Sequence, residues 1–305
     1  MQVFLKRLAV FFAISILLFS GCVTNPLTGR RTMAFVNNRE LFPMAFDMYE
    51  EFIRENTVVT GTPEAEMLQR VGNRLADAAQ KWLTAEGVPE YLDDYRWEFT
   101  LIEDNEVNAW VLPGGKVVFY TGILPVAQTE TGIAVIMGHE IAHALLNHGQ
   151  QRISAGTLQE IGALGVSIAA AILIPEFHDL AVTAFGLGSA LAGTLPFSRK
   201  HEQEADEYGT ILMAIARYNP AEASSFWDRM NAISGGVSVP QILSTHPSSA
   251  RRSRNLQRMV PIAQQKAAEF GVHFANYPEW DGAHLGQVSL MRTGAVTFSA
   301  CCLGH

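Results

Sequence analysis

The sequence predicts an α+β fold, mostly helical, with a small β-sheet beside a helix that carries the motif His-Glu-x-x-His. Three observations carry that prediction. Long stretches with helical periodicity or helix-start signals recur along the chain. Two short segments, WEFTLIE and AWVLPGGKVVFYTG, are rich in strand formers, and the second folds around Pro-Gly-Gly. MGHEIAHALLNHG follows almost at once, on a helix expected over residues 129–150.

Taken in order, residues 1–21 read as a signal peptide. MQVFLKRL is a short basic start, and the apolar run behind it is too short to span a membrane comfortably. It ends in LLFSGC, where Ser20 and Gly21 precede Cys22 as in a lipoprotein cleavage site, so Cys22 is the expected lipidation point. Residues 22–38, with the turn-rich TNPLTGRRT, read as a tether. Helices are expected over residues 40–55 and 63–85, the second capped by Thr62 with Pro63 at its first position. After the three strands and the motif helix, residues 156–195 are apolar and rich in Ala and Gly. They suit either a buried helical hairpin or a loop facing membrane or substrate. A charged helix follows over 198–218, then a helix capped by Asn219 with Glu222 reaching back. STHPSS leads into a last helix ending near residue 270. Residues 39–270 form the expected folded domain, and 271–305 a tail with no assigned role.

The chain has 305 residues, 48% hydrophobic and 17% charged, which is enough to bury a sizeable core. Its net charge of −8 is not offset by a basic patch, which excludes nucleic-acid binding as a working reading. The one basic cluster, ARRSRNLQR, reads as the solvated face of the last helix. Beyond Cys22 only the adjacent Cys301 and Cys302 remain, so no disulfide framework is expected.

The chemistry lies in two four-residue spacings. His139 and His143 fall one turn apart on one helical face, where two neutral imidazoles can share a tetrahedral metal. Glu140 lies about 100° around the helix, placed to take a proton from water at that metal. The alternative is a helix that merely happens to carry histidines, so a third ligand matters. SRKHEQEADEYG repeats the spacing with Glu202 and Asp206. Glu202 completes a two-histidine, one-carboxylate set, and Asp206 can accept from the outer nitrogen of a ligand histidine. Glu204 is the rival ligand, but it points roughly 200° away. His148, five residues beyond His143, falls off the ligand face and reads as structural. His201 projects about 100° from Glu202 and is left out.

MGHEIAHALLNHG followed by SRKHEQEAD resembles the membrane-associated gluzincin metallopeptidases, the group of HtpX, BepA, LoiP, Oma and the CAAX-prenyl proteases. NPLTGR, NAWVLPGGKVVFYTG and STHPSS extend the likeness over roughly residues 25–259. The resemblance implies a zincin-type fold with one Zn²⁺ per chain held by His139, His143 and Glu202, with Asp206 behind them and Glu140 as general base. It places the strand of Gly115, Val117 and Val118 at the lip of the cleft, with a free edge for an extended substrate. It is nearest to LoiP-like periplasmic lipoproteins. That implies an endopeptidase acting on unfolded or misassembled envelope proteins, anchored to the bilayer through lipidated Cys22 on the periplasmic side of the outer membrane. The other reading is a latched, weakly active assembly factor. His246, in the loop of STHPSS, has three possible roles: donor to the oxyanion, occluding fourth ligand, or surface cap of the last helix.

Overall fold

The computed structural model describes residues 22–173, 179, 195–233, 242–243, 246 and 250–274. The expected signal peptide, most of the apolar stretch beyond residue 173 and nearly all of the tail lie outside them. Among the described residues, no helix is long and apolar enough to cross a membrane.

The fold is α+β and mostly helical, as the sequence predicts. A short hairpin of β1 (Cys22–Thr24) and β2 (Arg31–Met33) opens it. Helices α1 (Asn38–Glu55) and α2 (Pro63–Ala85) follow, each started by a side-chain cap. Asn37 accepts from the amide of Glu40, and Thr62 from that of Ala65. The main sheet contains β3 (Glu98–Ile102), β4 (Ala109–Leu112) and β5 (Lys116–Tyr120). Beyond it lie α3 (Glu130–Leu145), α4 (His148–Leu173), α5 (Leu195–Ile215), α6 (Glu222–Ile233) and α7 (Ala250–Glu269).

The strand order β3-β5-β4 corrects one expectation. β5 is the central strand, parallel to β3 and antiparallel to β4, with Val117 facing Phe99 and Val111 in register. Val117 and Val118 are fully buried, so neither can offer a free edge to a substrate. Gly115 is in the turn before β5, at φ 96°, and a Cβ there would lie 2.7 Å from the Trp97 ring. The cause is topological. The Pro-Gly-Gly turn returns the chain between β3 and β4, which an alternating pattern does not reveal. No strand among the described residues pairs with the far side of β4, so the open edge is there.

Two further differences concern breaks and caps. The motif helix ends at Leu145, and α4 restarts at His148 after Asn147 adopts φ 56°. Asn219 does cap the turn into α6, accepting from the amide of Ala221. Glu222 does not reach back: it pairs with Arg229 at 2.7 Å.

The core wraps around α3. Nearly every residue of that helix is buried, and the sheet, α2, α5 and α6 all pack on it. Gly72 on α2 leaves room for Phe99 of β3, whose ring would lie 2.3 Å from a Cβ at that position. At the crossing of α3 and α5, Gly138 meets Gly209 backbone to backbone.

Candidate metal centre

Helix α3 is fixed at both ends. At its start, the Thr129 hydroxyl accepts from the amide of Gly132 at 3.0 Å. Glu130 sits in the first turn, where the helix dipole favours a negative charge, and it receives Arg70 at 2.7 Å and the Tyr218 hydroxyl at 2.9 Å. At its end, the carbonyl of Leu145 accepts from Asn25 Nδ2 at 2.8 Å and from the Tyr91 hydroxyl at 2.9 Å. That of Ala144 accepts from Tyr95 at 3.0 Å. These bonds satisfy carbonyls that a helix end leaves without partners. Asn25 belongs to the segment read as a tether, yet it is 3% exposed.

This rigid helix presents His139, Glu140 and His143 to α5. His139 Nε2 lies 3.1 Å from His143 Nε2 and 3.3 Å from Glu202 Oε2, and His143 Nε2 lies 3.3 Å from Glu202 Oε1. His246 closes the cluster. Its Nδ1 is 2.9 Å from Glu202 Oε2 and 3.1 Å from His139 Nε2, and its Nε2 is 3.5 Å from Glu140 Oε1. It is 9% exposed, which overturns its reading as a surface cap. One ligand atom from each of His139, His143, Glu202 and His246 can be chosen so that all lie within 4.8 Å of one another.

The donor set fits a divalent metal. Tetrahedral zinc with nitrogen and oxygen ligands needs donors about 3.3 Å apart, close to the spacings seen. Three imidazole nitrogens and a carboxylate face one another, an arrangement that calls for a shared cation. Among the described residues the buried Oε1 atom of Glu140 accepts no hydrogen bond and has His246 Nε2 at 3.5 Å, as expected of a group that works on a water or substrate atom.

The electrostatics point the same way. Burial pulls Glu202 up, but the hydrogen bonds from His139, His143 and His246 outweigh it and hold the carboxylate ionised far below its ordinary value. Burial pulls His139 down, yet its bonds to Asp206 and Glu202 raise it to about 9. Burial drives His143 well below its ordinary value and keeps it neutral. Burial also raises Glu140, which makes it a stronger base than an exposed carboxylate. The pocket thus draws positive charge to the nitrogen face of His139.

Behind the cluster, His139 Nδ1 lies 3.1 Å from Asp206 Oδ1. Asp206 is gripped by Arg252, whose Nε and Nη2 each donate at 2.7 Å. Arg252 Nη2 is also 3.4 Å from Glu202 Oε2, and the guanidinium carbon lies over Trp227, 3.4 Å from the ring centre. Asp206 is held ionised by Arg252 and His139 against the opposite pull of burial. The basic cluster of the last helix is therefore only partly a solvated face. Arg251, Arg254 and Arg258 are exposed, whereas Arg252 is 7% exposed. A signal was present, because Arg252 shares the helical stripe of Leu256 and Ala263.

Glu204 does not face the cluster, and its carboxylate meets His148 and Arg30 instead. His148 lies directly behind His143, its Nδ1 2.9 Å from His143 Nδ1. That placement follows from the break at Asn147, which a continuous helix would not allow. Cys22, in β1, is partly exposed and free of disulfides.

Residues 63–260, well over half of the chain, match peptidase family M48. The chain is similar to the mitochondrial metalloendopeptidase OMA1 of Schizosaccharomyces pombe, 35% identical over 188 residues that cover 61% of this chain and 53% of that one. It is 30% identical to OMA1 of Danio rerio over 268 residues, 85% of this chain and 54% of the other. It is also 30% identical to the beta-barrel assembly-enhancing protease of Escherichia coli over 185 residues, 57% and 37% respectively. The chain spans about half the length of the OMA1 proteins named here.

Proposed function

Because the chain belongs to peptidase family M48, we propose that it is a zinc-dependent endopeptidase in which His139, His143 and Glu202 hold the metal and Glu140 is the general base. The observation that carries this reading is the convergence of three imidazoles and the Glu202 carboxylate beside the buried Oε1 of Glu140. A zinc ion held there would polarise a scissile carbonyl and bring the pKa of water towards neutrality. Glu140 takes the proton of the attacking water and delivers it to the leaving amine. Asp206 keeps the proton of His139 on Nδ1, which leaves the Nε2 lone pair for the metal. The open side of β4 is where an extended chain would pair, through backbone bonds that recognise conformation more than sequence.

We further read the protein as a quality-control peptidase of the bacterial envelope, exported and lipidated at Cys22, facing the periplasm at the outer membrane. The LLFSGC sequence and the similarity to the E. coli protease support that setting. His246 favours a second element of the account. Its Nδ1 lies 3.1 Å from His139 Nε2 and 2.9 Å from Glu202 Oε2, which supports reading it as an occluding fourth ligand that latches the resting site and withdraws to open it. A permanently latched site would serve as an assembly factor.

The test is cleavage of an unfolded protein such as casein by the full chain, compared with its Glu140→Gln and His246→Ala variants. The reading expects activity that a chelator removes and zinc restores, none in Glu140→Gln, and faster basal cleavage in His246→Ala. A Glu140→Gln variant that cleaves like wild type contradicts the enzyme reading. An inactive wild type whose Glu140→Gln form still supports envelope assembly favours the assembly factor. Slower cleavage by a zinc-loaded His246→Ala makes His246 the oxyanion donor instead.

A further inference from the structure

The two ligand histidines are held from behind in different ways. His139 meets a carboxylate directly, Asp206, which is gripped by Arg252. Behind His143 stands a second imidazole. Its Nδ1 faces His148 Nδ1 at 2.9 Å, and His148 Nε2 faces Glu204 Oε2 at 3.3 Å. The other oxygen of Glu204 pairs with Arg30.

The protons in this line have one consistent arrangement. If His143 offers its Nε2 lone pair to the cluster, its proton is on Nδ1. His148 must then accept through Nδ1, which puts its own proton on Nε2, aimed at Glu204. The His148 ring is 1% exposed and stacks on His201 at 4.1 Å with an 8° tilt, which fixes its plane.

The far end of the line is built, not incidental. Asn25 Oδ1 accepts from the amides of Leu27 and Thr28, and its own carbonyl accepts from Gly29 at φ 64°. Its amide donates to the carbonyl of Arg30 at 2.9 Å, and Tyr208, on the same helix as Glu204, donates to the carbonyl of Leu27 at 3.1 Å. The Asn-Pro-Leu-Thr-Gly-Arg turn is therefore bolted to α3 and α5, with Arg30 at Glu204.

We propose that Arg30, Glu204 and His148 form a positioning relay for His143, so that the arm just after Cys22 is a working part of the metal site. It rests on the reading of His143 as a ligand. Loss of such supporting bonds typically weakens metal binding by about 10–100-fold.

The test is the zinc dissociation constant of the full chain, measured by chelator competition, with the absorption spectrum of the cobalt-substituted protein as a second readout. Zinc binding should weaken about 10–100-fold in His148→Leu and less in Arg30→Ala, with an altered cobalt spectrum in both. His148→Gln, which can still accept from His143 and donate to Glu204, should recover most of the loss. Should the buried leucine unfold the chain, Glu204→Gln, which keeps the shape of the side chain and removes its charge, gives the same reading. Wild-type affinity and spectrum in both His148→Leu and Arg30→Ala overturn the relay. A wild type that binds no zinc overturns the ligand reading itself, which separates the two failures.

Discussion

Arg252 grips Asp206 with two hydrogen bonds of 2.7 Å, and it reaches the site from the last described helix of the chain. Arg252 is buried and the Asp206 side chain nearly so, so removing Arg252 strips the carboxylate of its two-pronged partner. Such a loss costs about 3–5 kcal/mol. Arg252→Met should therefore destabilise the fold in urea and weaken zinc binding together. Arg252→Lys should recover little of either, because one ammonium cannot reproduce the two-pronged contact or the stacking on Trp227. Full recovery in Arg252→Lys would show that charge alone matters.

The contact of Gly138 with Gly209 sets how closely α3 and α5 approach. A Cβ on Gly138 would lie 2.9 Å from the carbonyl oxygen of Gly209, and one on Gly209 only 2.8 Å from Gly138 backbone atoms. Neither backbone can yield without separating His139 from Glu202 and Asp206. Alanine at either position should cost about 1–3 kcal/mol in a urea titration and weaken zinc binding. Gly156→Ala on α4, where nothing lies within 4 Å of the new atom, should instead stabilise by up to about 1 kcal/mol.

Tyr91 links the arm to the end of α3, and burial pushes its hydroxyl from 10.0 up to about 12. The folded state then holds that proton more tightly than the unfolded chain does. Its contribution to stability is complete below pH 10 and is lost as pH rises from there towards 12. Tyr91→Phe should lose about 1 kcal/mol at neutral pH from the missing hydrogen bonds, and its stability should fall less steeply above pH 10. Parallel alkaline profiles in denaturant titrations would remove Tyr91 as the cause.

Proline at Val118 tests the sheet order. In an edge strand it would slow cleavage while sparing the fold. In a central strand it removes a ladder bond and leaves a buried carbonyl without its donor, at about 1–3 kcal/mol. Circular dichroism should show lost structure, and a well-folded Val118→Pro chain would return β5 to the edge.

The local grammar of the fold was legible. Thr62 and Pro63 announce the start of α2, and the paired spacings of His139 with His143 and of Glu202 with Asp206 identify the site because helices bring such positions to one face. Non-local features were not. The insertion of β5 between its neighbours depends on the path of a turn. The placement of His148 depends on one left-handed residue, Asn147, and a helical wheel that assumes no break sets the histidine aside. Arg252 and Asn25 are polar residues whose burial is made favourable by distant partners, so composition alone assigned them to solvent.

The central claim is that His139, His143 and Glu202 bind the metal while Glu140 does chemistry beside it. Zinc stoichiometry of the full chain, measured for wild type, Glu140→Gln and Glu202→Ala, tests it most directly. The account predicts about one zinc in the first two and none retained by Glu202→Ala through dialysis. Zinc held equally well by Glu202→Ala, or lost from Glu140→Gln, would contradict it.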